Sequence, residues 1–318
     1  MRNWAERFPF RASLNWRKAM ATTFPQTLFG AALRRAACAA AFAALAICGV
    51  RAIRAQSPAP PRVRVSLVSD SEAVRPGQTL WVGLQFQMPS GWHIYWMNPG
   101  DSGEPPKIQW NLPAGFRAGD FLWPYPQRIE APSIVDYGYT DGVVLLVPIT
   151  VPADLPRSDS VTLSGAVRYL VCREICVPAK ASVQLVLPIA AHGGSSAAAS
   201  SNASVHALFE QTRQRVPQPA PAVWQARARS TGDEFVLSLR IGKSAAQAEF
   251  FPLDADVIEN SAAQDVRSTP AGIEIHLRKS DQLLKPIPRL RGVVVLPGRG
   301  AYTVDAPVTQ QGAVAGAH

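Results

Sequence analysis

The sequence predicts an all-β protein: two β-sandwiches in tandem behind a cleavable leader. Three observations carry that expectation. The text from Val63 to about Pro188 is a succession of short apolar runs separated by Pro, Gly and polar clusters, with no convincing amphipathic helix among them. The same kind of text returns between residues 223 and 308 after an interruption rich in Ser, Ala and Gly. A length of 318 residues suits about two domains.

Taken in order, residues 36–50 are fifteen apolar or small residues, preceded by Arg34-Arg35 and followed by the small-residue cleavage signal Ile53-Arg54-Ala55. That pattern reads as a secretory signal peptide, short and Ala-rich for a membrane span, with an uncleaved membrane anchor as the lesser alternative. Residues 1–55 are therefore assigned to the leader with an N-terminal extension, and Met20 is a second candidate start. The leader also explains the net charge of +9: it holds nine of the basic residues and one acid, leaving 23 basic and 22 acidic residues after it. With no basic surplus beyond the leader, nothing tracks a phosphate backbone, and no nucleic-acid partner is expected.

Residues 56–62 are a Pro-rich linker. In 63–190, alternation is clear in Val63-Val65-Leu67 and Leu80-Val82-Leu84-Phe86, and further apolar runs follow at 92–98, 143–151, 160–171 and 181–188. Seven or so short strands in about 125 residues read as an antiparallel sandwich of immunoglobulin-like type. Residues 191–222 are expected to form a flexible linker carrying one short helix at 205–216. Residues 223–308 form the second, smaller immunoglobulin-like sandwich, and 309–318 a disordered tail.

Cys38 and Cys48 leave with the leader, so an exported mature chain holds only Cys172 and Cys176, which should pair in an oxidising compartment. Three residues, Arg173-Glu174-Ile175, separate them between two apolar runs, the signature of a β-hairpin tip. On one extended strand the pair would be about 13 Å apart; across a hairpin they fall within disulfide range. Val167, Val171, Val177 and Pro178 argue against a helix. A bond closing so small a loop restrains the unfolded chain by only about 2 kcal/mol. It is a weak staple, and an exposed bond of this kind suits thiol exchange. Redox exchange, a structural disulfide and metal binding all remain open on geometry alone.

Two other stretches are candidates. In Gly91-Trp92-His93-Ile94-Tyr95-Trp96-Met97, strand alternation puts Trp92, Ile94 and Trp96 on a core face and His93, Tyr95 and Met97 on the other, where His93 and Tyr95 are placed to line a site. Asp136-Tyr137-Gly138-Tyr139, ahead of the strong run 143–151, reads either as an ordinary connection or as an aromatic flap on a glycine hinge.

Together these residues resemble a family. Gly91-Trp-His-Ile-Tyr-Trp, Asp136-Tyr-Gly-Tyr, the run 143–151 and Arg168-Tyr-Leu-Val-Cys-Arg-Glu-Ile-Cys-Val-Pro are similar to the N-terminal periplasmic domain of the thiol:disulfide interchange protein DsbD, in its ScsB-like branch with two tandem β-domains. The likeness covers about residues 63–190 and extends more loosely to 223–308. It implies a periplasmic protein-disulfide reductase, using a redox-active disulfide and no other cofactor. The implied electron route runs from a membrane-embedded donor protein, through Cys172 and Cys176, to periplasmic thioredoxin-fold proteins. It also implies a cap role for the loop at Asp136, Tyr137, Gly138 and Tyr139. Since the sequence ends at His318 without a membrane module, a separately encoded donor is expected. Two other classes compete: copper delivery through the cysteines with His93 or Met97, and a non-catalytic binding module with a structural disulfide.

Overall fold

The computed structural model describes residues 62–132, 134–155, 158–190 and 203–310. The expected leader, most of the Pro-rich linker, residues 191–202 and the tail from 311 lie outside them.

The fold is all-β and immunoglobulin-like. Strands β1 (Arg64–Ser69), β2 (Thr79–Gln87), β3 (His93–Gly100), β4 (Lys107–Asn111), β5 (Arg117–Ala118), β6 (Gln127–Ala131), β7 (Ile134–Thr140), β8 (Gly142–Thr150), β9 (Ser160–Cys172) and β10 (Cys176–Pro188) build the first sandwich. One sheet runs β1-β2-β8-β5; the other runs β10-β9-β3-β7-β6, with β4 also paired to β9. The alternation read in β2 is what the packing uses: Leu80, Val82, Leu84 and Phe86 are all buried in the core between the sheets.

Strand β8 departs from alternation. Val144, Leu145, Leu146 and Val147 are all buried, which requires cover on both faces. The second cover is helix α1 (Ala203–Arg215), whose fully buried Phe209 packs with Val144 and Leu146. The helix expected inside a flexible linker is thus docked on the first sandwich. Arg213 ties its last turn to Asp70 at 2.7 Å, and the Arg215 guanidinium donates to the Tyr125 carbonyl.

The second sandwich comprises β11 (Gln218–Pro219), β12 (Gln225–Thr231), β13 (Glu234–Arg240), β14 (Glu249–Pro252), β15 (Asp265–Thr269), β16 (Gly272–Arg278), β17 (Arg289–Leu296) and β18 (Gly300–Gln310). Their order is β14-β17-β18-β12-β13-β16-β15, with β11 on β18. Strand β18 pairs with β17 through residue 307 and then, in parallel, with β12 from Val308 to Gln310. That second pairing is why Thr309 and Gln310, expected in a disordered tail, are ordered strand.

The two sandwiches share a seam. Phe251, fully buried, meets Tyr137 edge-on at 5.3 Å and Trp96 at 6.2 Å, an arrangement aromatic rings favour. Polar groups close round it: Asn98 Nδ2 donates to the Pro252 carbonyl at 2.9 Å, and Arg128 Nη2 to the Asn260 carbonyl at 2.6 Å. Truncating a buried ring costs about 3–5 kcal/mol, so Phe251→Ala is expected to lower unfolding free energy by that order, read as a drop in the urea midpoint. A loss under about 1 kcal/mol would show that the seam contributes little to stability.

Candidate functional site

Strands β9 and β10 are antiparallel over their full lengths, and their register sets Cys172 directly opposite Cys176. The two are joined by a disulfide with Cα atoms 4.2 Å apart. The tip is Arg173-Glu174-Ile175, closed by an Arg173 N–H to Ile175 C=O hydrogen bond. The sulfurs differ in environment. Cys172 is 2% exposed, whereas Cys176 is exposed and adjoins Ile175, itself 49% exposed. The Arg173 guanidinium lies over the Trp92 ring at 5.3 Å, and its ion pair with Glu174 stays in solvent.

Strand β3 supplies the floor. His93 pairs with Cys172 across β3 and β9, and Tyr95, two residues on, shares its side of the strand. The buried Tyr95 hydroxyl donates to Cys172 Sγ at 2.9 Å and lies 3.4 Å from Cys176 Sγ. Burial raises the pKa of this phenol; Ser102 opposes the shift and the Asp136 charge adds to it. Tyr95 therefore keeps its proton throughout the neutral range. His93 packs edge-on against Tyr95 at 5.4 Å, and burial lowers its pKa, so the ring is neutral at pH 7. Its Nε2 has no hydrogen-bond partner among the described residues. The structure thus brings His93 and Tyr95 to the cysteines. Met97, expected on the same face, lies past a shift in the β3–β7 register and is 43% exposed.

The segment expected to be a cap loop is not a loop. Asp136, Tyr137, Gly138 and Tyr139 lie inside β7, between β3 and β6, and the two tyrosines are 0% and 2% exposed. Tyr137 donates to Asn260 Oδ1 at 2.8 Å and Tyr139 to the Pro124 carbonyl at 2.6 Å. With partners on both edges and both hydroxyls satisfied, this strand has no freedom to act as a flap. Gly138 marks a close approach, since a Cβ there would stand 2.2 Å from the Ile94 carbonyl oxygen.

Asp136 reaches the site indirectly. Its buried carboxylate accepts from the Ser102 amide at 2.9 Å and the Ser102 hydroxyl at 3.0 Å. This holds residues 100–103 against Tyr95, where a Cβ on Gly103 would fall 2.1 Å from Cζ of the ring. Asp101 binds the Val135 amide with one oxygen and Asn260 Nδ2, from the second sandwich, with the other. Sequence reasoning missed this Gly100-Asp101-Ser102-Gly103 turn. The signal was present: glycines at φ +87° and +81° bracket two hydrogen-bonding side chains just after an aromatic strand.

Residues 64–188 match the family model described as thiol:disulfide interchange protein DsbD, N-terminal. Residues 64–188 are a DsbD-like N-terminal domain. As a DsbD-like domain it is a thiol:disulfide interchange unit with a cysteine pair, which here is Cys172–Cys176. The N-terminal periplasmic domain of ScsB from Proteus mirabilis superposes with a TM-score of 0.55 at 17% identity, over 78% of this chain and 92% of that one. This is a likeness of fold that extends beyond the first sandwich. The YadV chaperone (TM-score 0.21, 11% identity, 76% of this chain and 98% of that one) and the BcpA major pilin subunit of Bacillus cereus (0.25, 7%, 79% and 68%) are more remote. No curated protein matches the chain significantly in sequence.

Two measurements test the floor. Tyr95→Phe keeps the ring and removes the donor to Cys172. In a Cys176→Ser background, the Cys172 thiol pKa, read from the pH dependence of its alkylation, is expected to rise by about one unit; an unchanged pKa would exclude the hydrogen bond from thiolate stabilisation. His93 binds its proton less readily folded than unfolded. The unfolded chain therefore takes up more protons below about pH 6.5, and stability falls as pH drops from there towards the lowered folded value. The unfolding free energy of wild type minus that of His93→Phe should fall from pH 7 to pH 5 in denaturant titrations, and a constant value would count against a buried neutral imidazole.

Proposed function

We propose that the chain is a periplasmic protein-disulfide reductase that relays electrons from a membrane-embedded donor to exported thioredoxin-fold clients through Cys172 and Cys176. The redox group of this relay is the Cys172–Cys176 disulfide. The observation that carries this reading is the asymmetry of the bond: an exposed Cys176 sulfur joined to a buried Cys172 sulfur that already receives the Tyr95 hydroxyl. An isolated structural staple needs neither.

The steps follow from that asymmetry. A donor thiolate attacks Cys176 Sγ, the Cys172–Cys176 bond breaks, and Cys172 leaves as a thiolate facing the Tyr95 donor, which stabilises it. The donor's second thiolate then attacks its own sulfur in the mixed disulfide. Cys176 is released, and two electrons and two protons have passed to the pair. Towards an oxidised client the order reverses: Cys176 attacks, and Cys172 resolves the adduct. Exposed Ile175 beside Cys176 offers a docking protein an apolar contact. Copper delivery gains no support from the geometry, since no group of three or more His, Cys, Asp or Glu side chains converges among the described residues.

Either Cys172→Ser or Cys176→Ser is expected to abolish reduction of an oxidised thioredoxin-fold client. With Cys172→Ser, the exposed Cys176 should accumulate a mixed disulfide at least about tenfold faster than Cys172 does in Cys176→Ser, followed on non-reducing gels. Full client reduction by either single variant would reject the relay, and the opposite ranking would reject Cys176 as the attacked sulfur.

A further inference from the structure

Beyond the disulfide, the outer face of the same sheet carries a row of cations. Lys107 on β4 stands opposite Arg168 on β9, and Arg168 stands opposite Lys180 on β10. All three are exposed. Neighbouring strands are about 4.8 Å apart, and like charges directly opposite one another destabilise a sheet. Relief is slight. Lys107 has a solvent-exposed contact with Glu104 at 3.8 Å, while Arg168 and Lys180 make no ion pair among the described residues. Clefts lie on either side of the row, one towards Leu170 and Pro178 and the other towards Ala166 and Ser182, and all three cations line both.

The row is on the disulfide's side of the sheet. Arg168 precedes Cys172 by four residues and Lys180 follows Cys176 by four, so strand alternation sends all these side chains the same way. The separation along the strands is about 13 Å, a distance that one docked protein surface spans. At the hairpin tip Arg173 and Glu174 offset each other. Arg168 and Lys180, four residues from the cysteines on either strand, have no such partner among the described residues.

We propose that Lys107, Arg168 and Lys180 form a docking strip for a protein partner that carries carboxylates beside its own reactive cysteine. The strip holds that partner with its thiol over Cys176. This inference rests on the interchange reading above and adds the chemistry by which partners are selected. Charge complementarity of this kind chiefly raises the association rate and is weakened by salt.

The test compares wild type with the triple variant Lys107→Gln, Arg168→Gln, Lys180→Gln. The probes are Cys-x-x-Cys dithiol peptides flanked by acidic, neutral or basic residues, with dithiothreitol as an uncharged reductant. Each probe passes two electrons and two protons to the Cys172–Cys176 disulfide and becomes a disulfide itself. The ratio of wild-type to variant rate for each probe cancels that probe's intrinsic reactivity. At low salt the ratio is expected to be about ten for the acidic peptide, near one for the neutral peptide and dithiothreitol, and below one for the basic peptide. In high salt all ratios should converge on one. An acidic-peptide ratio near one with rapid reduction by every probe would overturn the docking strip and leave the interchange reading standing. A disulfide that no probe reduces would overturn both. Equal dithiothreitol rates show that the variant remains folded around an intact site.

Discussion

The site depends on how tightly β3 is held between its two neighbours. At His93 it meets β9, and from His93 to Tyr95 it meets β7. The second contact is so close that Gly138 has no room for a Cβ beneath the Ile94 carbonyl. This fixes the register of β3 and hence the position of the Tyr95 hydroxyl under Cys172. A one-residue slip would send Tyr95 to the opposite face and bring Ile94 to the sulfurs. The chemistry of the pair is thus specified by backbone packing two strands away from the hairpin.

The fold was largely legible in the sequence because its signals are local. Period-two alternation in β2 and the apolar runs of β8 and β9 are patterns that one sheet face imposes on its own residues. The hairpin was legible for the same reason: two cysteines flanking a three-residue tip leave one plausible geometry. Parity put His93 and Tyr95 on the face that meets the sulfurs, but it put Met97 there too, and only the register shift after Tyr95 separates them. The short strands β4, β5 and β14 escaped notice because each is held mainly by pairing with a distant partner, and β4 has only Ile108 and Trp110 facing inward.

The misreading at residues 136–139 has a different cause. Asp, Tyr and Gly are common in turns, and nothing local distinguishes a glycine that bends from one that lets a carbonyl approach. The second sandwich supplies what the sequence could not: Asn260 satisfies Tyr137, and Phe251 fills the space beside it. Similarly, Asp101 and Ser102 look like ordinary turn residues until their partners are known. Asp101 links the turn over Tyr95 to Asn260, so the second sandwich is one hydrogen bond away from a segment that packs on the tyrosine under Cys172. The tandem architecture thereby contributes rigidity to the exchange site as well as length.

Strand β10 ends its sheet, so its outer rim offers backbone donors and acceptors to any passing extended chain. A long border of this type is a hazard in a crowded compartment, since it can template fibril-like growth between copies. Pro178 and Pro188 lack amide hydrogens, and Lys180 between them places a charge where a second copy would bring another. The arm that carries Cys176 to the surface is thereby made a poor seed for self-assembly.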